Sequence, residues 1–318
     1  MSATFWALNG GKAGDVIKTS ISGGGQLVAL TYGNGKFVIS GEISGIPGIT
    51  FIRTSADGIT WSSPSLSDGT AQAWDSFAYA AAYGNSIFCI VGSSSAGGGS
   101  LYSVSGDNNA NTFSLYDIDA DSPGGGIDVC YGNSVFLTVG YGVVSTSSSG
   151  ANNNWTANTS VGTGLWRGCC YNGSSLYIIV GYTGSIYTSA NATTWTSRTS
   201  GTTEILYSVD YSSSLGLYCA VGANGTVLTS PDGTTWTART SGTTELLRKV
   251  KWSSAYGKFF AVGGGSNGKL LYSTDGITWT TCPYAFTGTP LFNVIAGPTT
   301  VVCATNSGVV YKSDLGFV

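Results

Sequence analysis

Seven apolar, strand-like runs recur along the chain and end at equivalent positions. They read KFVISG, SIFCIVG, SVFLTVG, LYIIVG, LYCAVG, KFFAVG and VVCAT. The last four intervals between these positions are 41 residues each, and the first two are 51 and 48. A period of about 40 to 50 residues of β-pattern is typical of one propeller blade, so the runs predict a seven-bladed β-propeller. The aligned positions are Gly41, Gly92, Gly140, Gly181, Gly222, Gly263 and Ala304.

Each repeat contains four strand-like segments, which we label A to D in chain order. In the sixth repeat they read ELLRKVKW, KFFAVG, KLLYS and TWTT. Turn sequences such as ANGT and the dipeptide DG separate strands in these repeats, as expected for short antiparallel strands. The sequence therefore predicts one all-β domain over residues 1–318, built of four-stranded blades.

The two ends of the chain together contain the parts of one blade. The C-terminal GVVYKSDLGFV supplies a C strand and the start of a turn, and the N-terminal ATFWALN supplies a short strand with Trp6. We therefore expect an N-terminal strand to complete the last blade. Such closure removes an exposed sheet edge from the ring.

Composition narrows the possible partners. Charged residues make up only 9% of the chain, and the net charge is −3, so a basic surface for nucleic acid or anionic lipid is not expected. The N-terminus resembles no secretion signal, and no apolar run approaches the length of a membrane span. The seven cysteines lie mostly in apolar runs, which predicts buried free thiols and synthesis in a reducing cytoplasm.

A second motif, S-x-D-G-x-T-W, recurs between strands C and D. It stands at Ser55–Trp61, Ser230–Trp236 and Ser273–Trp279, with a degenerate copy at Ser189–Trp195. The motif resembles a shortened Asp box, the BNR repeat of sialidases and related propellers. The resemblance implies that the Asp caps turn amides, the Gly takes a positive φ and the Trp packs between blades. It implies a structural role for Asp57, Asp232 and Asp275.

The resemblance also allows an enzymatic alternative to be tested. Sialidase-like hydrolysis implies three arginines converging on a carboxylate, an acid/base carboxylate and a tyrosine nucleophile. Arg198 and Arg239 occupy equivalent positions in neighbouring repeats, which favours a role within the repeat. Because the chain has no histidine, it also lacks the usual general base and His-activated nucleophiles. The sequence predicts no catalytic residues.

Equivalent positions on strand A predict a ring of side chains at one face of the disc. Arg167 and Arg248 occupy this position in two repeats, and mainly apolar or aromatic residues occupy it in the others: Val28, Tyr79, Ile127, Tyr207 and Phe292. Aromatic faces can stack on a ligand while polar groups bind it. The predicted ligand-binding residues are Tyr79, Trp166, Arg167, Tyr207 and Arg248.

An acidic segment, YDIDADSPGGGID, stands out from the charge-poor background. Its acids have spacing 1, 3, 5 and 12, which resembles that of a calcium loop. However, Ser122 stands where such a loop has Gly, and a solvated turn is the alternative interpretation. The candidate calcium ligands are Asp117, Asp119, Asp121 and Asp128, and no other cofactor is expected.

The style of the repeats, with phrases such as YGNGKFVISG and TSADGITWSS, resembles propeller proteins of tailed bacteriophages. The resemblance implies a non-enzymatic structural or attachment protein of the virion, in the tail, fibre or capsid surface, made in the host cytoplasm. Other virion proteins and host surface glycans are the implied partners. Two alternatives are a sialidase-like glycan-processing enzyme and an assembly-factor propeller.

Overall fold

The computed structural model describes residues 16–21, 24–43, 46–66, 76–94, 101–116, 125–150, 154–158, 160–161 and 164–314. Within them the strands form seven separate sheets, and all their pairings are antiparallel except one. Each strand A contacts the strand A of the next blade, and the strand A of the last blade contacts that of the first. The sheets therefore form a closed ring, and the predicted seven-bladed β-propeller is confirmed.

The first half of the ring contains the less regular blades. Strand β1 (Ile17–Ser20) precedes blade 1. Blade 1 consists of β2 (Gly24–Gly33), β3 (Lys36–Ile43) and β4 (Ile46–Ser55). Blade 2 contains β5 (Ser65–Leu66), β6 (Ser76–Gly84), β7 (Ile87–Ser94), β8 (Leu101–Gly106) and β9 (Thr112–Tyr116). Blade 3 consists of β10 (Gly126–Gly132), β11 (Val135–Gly140), β12 (Val144–Ser147) and β13 (Thr156–Ala157).

The second half follows the 41-residue repeat closely. Blade 4 consists of β14 (Trp166–Tyr171), β15 (Tyr177–Gly181), β16 (Ile186–Ser189) and β17 (Thr196–Arg198). Blade 5 consists of β18 (Leu206–Ser212), β19 (Leu217–Gly222), β20 (Val227–Ser230) and β21 (Thr237–Arg239). Blade 6 consists of β22 (Leu247–Ser253), β23 (Lys258–Gly263), β24 (Lys269–Ser273) and β25 (Thr280–Thr281). Blade 7 adds β26 (Leu291–Ala296), β27 (Val301–Thr305) and β28 (Val309–Ser313), and the described helical segments are two 3-10 turns, Tyr182–Gly184 and Ala223–Gly225.

Blade 1 departs from the predicted four strands. Its sheet has three strands, and its fourth is reduced to one bridge between Thr54 and Ser62. The chain then continues to Ser65–Leu66, which pairs in parallel with β9 of blade 2. The neighbouring blade thereby gains the strand that blade 1 lacks.

The ring is closed by an N-terminal strand, but by a different segment from the one predicted. Strand β1 pairs antiparallel with β28, with Ile17 opposite Lys312 and Ser20 opposite Val309. It therefore takes the place of strand D in blade 7. Strand β1 occupies the edge of β28 that was predicted for ATFWALN, and ATFWALN with its Trp6 lies outside the described residues.

The anchor glycines mark a recurrent distortion inside each blade. On strand A of all seven blades, the pairing with strand B shifts by one residue near its start, which is a β-bulge. A Cβ on Gly222 would lie 2.2 Å from the carbonyl oxygen of Ile205, which precedes the bulge. In this blade, glycine lets strand A approach this closely. In blade 7 the residue that pairs at this position is Thr305, so the alignment of Ala304 was wrong by one residue.

The core lies between blades. Buried side chains form seven clusters within the described residues, and each cluster joins two neighbouring blades. All seven cysteines are buried free thiols, as predicted. In the part of the chain that the structure describes, no helix is long and apolar enough to cross a membrane.

The S-x-D-G-x-T-W turns brace these interfaces. In blade 5, Asp232 Oδ1 accepts hydrogen bonds from the amides of Thr234 and Thr235 at 2.8 and 2.9 Å, and Gly233 has a φ of 73°. Trp236 donates from Nε1 to the Gly233 carbonyl at 3.1 Å and packs on the cluster shared with blade 4. The turn geometry and the interblade position of the tryptophan are as predicted. We call these C-to-D turns the brace turns.

Two further brace turns are too altered for the sequence pattern to reveal. In blade 3, Ser147 Oγ accepts from the Gly150 amide at 2.9 Å, and Trp155 packs toward blade 2. In blade 2, Asp107 accepts two turn amides, and Phe113 occupies the interblade position. A turn acceptor and an interblade aromatic residue are thus retained in these blades although the S-x-D-G-x-T-W motif is not.

Candidate functional site

The strand A bulges direct one side chain from every blade toward a common point. The bulged residue lies between the two residues at which the pairing shifts, such as Arg248 between Leu247 and Lys249. All seven bulged residues line one pocket. Because each blade contributes one of them, the pocket lies on the axis of the ring. The bulged residues are Val28, Tyr79, Ile127, Arg167, Tyr207, Arg248 and Phe292, the ring that the sequence predicted.

The central pocket has a volume of about 230 Å³. Besides the bulged residues, Gln26, Asp128, Tyr141, Lys249 and Asn293 line it. In an antiparallel blade, the B-to-C loop and the D-to-A loop lie at one end, and the C-to-D brace turn lies at the other end. The bulges lie near the start of strand A, so the pocket opens on the D-to-A face, away from the brace turns.

Arg167 is surrounded by tyrosines. Its Nη2 donates to the hydroxyls of Tyr141 and Tyr182 at 2.9 and 2.7 Å. Its guanidinium also lies over the rings of Tyr141, Tyr182 and Tyr207, at 5.1, 5.0 and 5.8 Å from their centroids. Such cation–π contacts stabilise the positive charge of the guanidinium but do not neutralise it.

Arg248 is held by an aromatic ring instead. Its guanidinium lies 4.4 Å from the centroid of Phe292, and its Nε is buried without an acceptor among the described residues. Burial lowers the pKa of Arg248, and Arg167 lowers it further, while Tyr207 raises it. The guanidinium nevertheless stays charged, because arginine titrates far above neutral pH.

A layer of paired charges lies at the base of the bulged ring. Lys249 Nζ lies 2.7 Å from Asp128 Oδ1, and both side chains are largely buried. Lys251 forms a longer pair with Asp210, at 3.7 Å. Burial alone would lower the pKa of Lys251, but Asp210 and then Asp128 outweigh it, so that pKa is raised.

The same layer ties neighbouring inner strands together. Asp128 Oδ2 accepts from the amide of Cys169 at 3.2 Å, and Asp210 Oδ2 accepts from the amide of Trp252 at 2.7 Å. Asn293 Nδ2 donates to the Val28 carbonyl at 2.8 Å across the blade 7–blade 1 boundary. These carboxylates are thus engaged in the framework of the ring.

The structure brings together four of the five residues predicted to bind a ligand. Tyr79, Arg167, Tyr207 and Arg248 all line the pocket, and burial, followed by Glu42, raises the pKa of Tyr79. Trp166 does not line it. Its side chain is only 2% exposed and packs edge-on against Tyr187, so the structure does not bring it together with the other four. Trp166 precedes the bulged Arg167, and its side chain packs in the core between blades 3 and 4.

Sequence reasoning missed Tyr141 and the acid at the pocket. Tyr141 follows the anchor Gly140, and Tyr182 occupies the equivalent position in the next blade. Since both tyrosines contact Arg167, the position after an anchor could have been predicted as part of the site. Asp128 lines the pocket although no acid occupies the bulged ring itself. Its place one residue after a bulge became apparent only from the pairing register.

The predicted calcium site is only partly described. Asp117, Asp119 and Asp121 lie outside the described residues, so the site stays a prediction. Asp128 is bound to Lys249 and to the Cys169 amide, which argues against its carboxylate as a calcium ligand. Among the described residues, no group of three His, Cys, Asp or Glu side chains is placed to hold a metal ion.

The D-to-A loops are occupied by their own hydrogen bonds. In blade 5, Ser241 Oγ donates to the Thr243 carbonyl at 3.0 Å, and Glu245 accepts from the Gly265 amide of the next blade at 3.0 Å. Arg239 Nε donates to Thr229 Oγ1 at 2.9 Å, which confirms its predicted role within the repeat. These loops border an open cleft of about 840 Å³, larger than the central pocket. The central pocket is nevertheless the better candidate site, because one side chain from every blade converges there.

The described lining residues do not match the sialidase-like set of catalytic groups. Only two arginines enter the described pocket, where the sialidase-like pattern implies three. The single carboxylate among its described lining residues is paired with Lys249. A general acid or base must be able to exchange a proton with the substrate, and a carboxylate held in an ion pair is poorly suited to that task.

Comparison with known proteins shows the fold. No protein-family model and no curated protein sequence matches the chain. A solved structure described as "YCF48 bound to D1 peptide" is 16% identical, with a TM-score of 0.71 over 98% of this chain and 97% of that one. Virginiamycin B lyase from Staphylococcus aureus is 8% identical, with a TM-score of 0.73 over 93% and 98%. The WD40 propeller domain of Doa1 is 9% identical, with a TM-score of 0.62 over 91% and 92%. The chain is thus similar to propellers of varied function, and none of these three is described as an Asp-box or bacteriophage protein.

Proposed function

We propose that this protein is a rigid, non-catalytic binding propeller that presents its D-to-A face to another protein. The observation that carries the proposal is the central pocket, where one side chain from every blade converges and two arginines stand without an acidic partner among the described residues. The packed interfaces between blades hold this pocket in shape before binding. Little conformational entropy is then lost when a partner binds.

The structural neighbours support a protein partner in general terms. One neighbour is described as bound to a peptide, and another is a WD40 propeller. The lyase neighbour has the same fold with a different chemistry, so the fold alone does not decide function. The pocket favours binding, because its described lining residues include no unpaired carboxylate.

In its finer form, the proposal places the protein in the virion of a tailed bacteriophage, as a tail, fibre or capsid-surface component. The support is compositional: the chain is nearly neutral, lacks histidine, and is built of Gly-rich repeats. Synthesis in the host cytoplasm agrees with seven buried free thiols. The partner is then another virion protein or a host surface glycan, and the internally bonded D-to-A loops favour the protein.

An assembly-factor propeller is the second candidate. The similarity to the YCF48 structures favours it, although identities of 16% and 13% support only the fold. The neighbourhood of the gene separates the candidates, since a virion protein is encoded among structural phage genes.

Two measurements test the proposal. Mass spectrometry of purified particles is expected to detect the protein at a fixed ratio to the known structural proteins. A glycan library incubated with the folded protein is expected to release no sugar. Enzymatic release that disappears in the Arg248→Gln variant would defeat the non-catalytic proposal, and absence from particles would defeat its virion form.

A further inference from the structure

The central pocket carries a net positive charge. Arg167 and Arg248 contribute two cations, while Lys249 and Asp128 neutralise each other. The remaining described lining residues are uncharged. An anion that enters the pocket therefore meets two positive charges with no competing acid of the pocket wall.

Neither arginine has an anionic partner in the described part of the chain. The ion pairs found there involve only lysines. Arg167 is oriented by two tyrosine hydroxyls and Arg248 rests on Phe292, and the Nε of each is buried without an acceptor among the described residues. A buried donor without an acceptor destabilises the empty site. A carboxylate would form charged hydrogen bonds with the outer nitrogens of the same guanidinium groups.

Part of the pocket wall is apolar. Val28, Ile127 and Phe292 form this part together with the rings of Tyr79 and Tyr207. Inorganic phosphate would leave these surfaces uncovered, whereas an anion joined to an apolar group would cover them. The ligand therefore combines a negative charge with a hydrocarbon or aromatic part.

The size of the pocket limits how much of a ligand it holds. Its volume of about 230 Å³ is below the roughly 300–1,000 Å³ of pockets that enclose whole drug-sized molecules. At the rim, Tyr141 and Leu165 form a bridge and remain 43% and 41% exposed. They extend the apolar surface outward, so a ligand inserted by one end continues across the face of the disc.

We infer that the central pocket binds a carboxylate that terminates an apolar chain, and that the ligand is the C-terminus of a partner polypeptide. Arg248 and Arg167 bind the carboxylate, and the apolar walls bind the last side chain. This inference rests on the proposed function, because it names the ligand class of the same pocket.

Fluorescence anisotropy with labelled octapeptides tests the inference. The peptides end in leucine, valine or phenylalanine, and each is made as the free acid and as the C-terminal amide. At least one free acid is expected to bind at least about tenfold more tightly than its amide, because only the acid forms charged hydrogen bonds with the arginines. Equal affinity of each acid and its amide overturns the inference, as does failure of every free acid to bind.

Two variants separate the pocket from the rest of the face. Arg248→Gln is expected to remove the preference for the free acid with an unchanged melting temperature, since no described residue forms an ion pair with Arg248. Arg239→Gln is the matched control, because it removes the same charge from the same face outside the pocket, and it is expected to retain the preference. Loss of the preference in both variants overturns the assignment to the pocket.

Competition distinguishes the sources of the carboxylate. Hydrocinnamate is expected to displace the labelled peptide only at concentrations at least about tenfold above those of the unlabelled peptide, because it lacks the contacts at the rim. Equal potency shows a site for free acids and overturns the polypeptide part. Equal potency of inorganic phosphate shows a general anion site and overturns the inference as a whole. None of these outcomes contradicts the proposed binding function, which the mass spectrometry of particles and the glycan assay test separately.

Discussion

The two ends of the blades differ in how far their side chains are repeated around the ring. At the brace turns, the same arrangement of a turn acceptor and a packed aromatic residue recurs from blade to blade, even where the motif is degraded: in blade 4, Asn191 replaces the aspartate and accepts the same two amides at 2.9 Å. At the D-to-A end, the backbone bulge recurs in every blade, but its side chain changes. It is arginine in blades 4 and 6 and tyrosine in blade 5.

This difference separates architecture from function. A feature that solves the same packing problem in every blade keeps the same chemistry, because each interface needs the same brace. A ring position that faces the axis does not have to fill the same interblade space in every blade, so its side chains can differ and build one asymmetric pocket. Changes at the brace turns should therefore alter stability, and changes in the ring should alter binding.

The largest expected effect lies just below the ring. Asp128→Ala leaves the largely buried Lys249 without its partner and should lower the free energy of unfolding by about 3 kcal/mol. Urea denaturation measures this loss. The double variant Asp128→Ala/Lys249→Met should recover most of it, because no buried charge then remains unpaired. A loss below about 1 kcal/mol for the single variant would show that the pair contributes little to the framework.

Removal of a brace aromatic residue should follow. Trp236→Ala deletes contacts between blades 4 and 5 and should lower the free energy of unfolding by about 2 to 3 kcal/mol, below the value for a fully buried tryptophan. Trp236→Phe should lose less than half as much, because Phe113 fills the corresponding position in blade 2. Both variants, when folded, should bind peptide with wild-type affinity; a weakened affinity would break the separation between the two ends.

The brace carboxylate should contribute less than the aromatic ring. Asp232→Ala removes the acceptor of two turn amides and should cost about 1 to 2 kcal/mol. Asp232→Asn should cost less than half of that, because Asn191 caps the same turn in blade 4. Thermal and urea unfolding compare the two variants. An equal loss in both would mean that the negative charge, and not the hydrogen bonds, stabilises the turn.

Acid should weaken the brace turns. The side chain of Thr234 and the amides of Thr235 and Thr234 lower the pKa of Asp232, and the Thr278 amide is the main cause of a lowered pKa at Asp275. A depressed folded-state pKa gives stability that is present above the unfolded pKa of about 3.9 and is lost as the pH falls below it. Melting temperatures from pH 7 to pH 3 should therefore fall below about pH 4, and less steeply for Asp232→Asn.

The smallest effect is expected for the arginines outside the pocket. Arg239→Gln removes one partly exposed hydrogen bond to Thr229 and should cost about 0.5 kcal/mol or less. Arg198 makes the equivalent bond to Thr188 at 2.9 Å and should behave alike. A large loss of peptide affinity in either variant would extend the binding site beyond the pocket.

Much of the fold and part of the site were predictable because repeats report equivalent positions. The seven runs predicted seven blades, and equivalence alone predicted the ring that lines the pocket. Closure by an N-terminal strand was also predicted, but the wrong segment was chosen, since IKTS carries no motif that distinguishes it from other short strands. Trp166 does not reach the pocket because the pairing register at the bulge decides which neighbouring residue faces the axis, and local sequence does not show that register.

The sequence by itself determined the period, the positions of the brace turns that keep the motif and the identities of the ring residues, because these follow from spacing and from local turn chemistry. Only the tertiary structure decided which side chains meet. The pairing of Asp128 with Lys249, 121 positions apart, and the contact of Tyr141 with Arg167 depend on how blades are placed around the axis. Closure of the ring brings residues that are distant in sequence close together in space, and no local sequence pattern encodes this proximity.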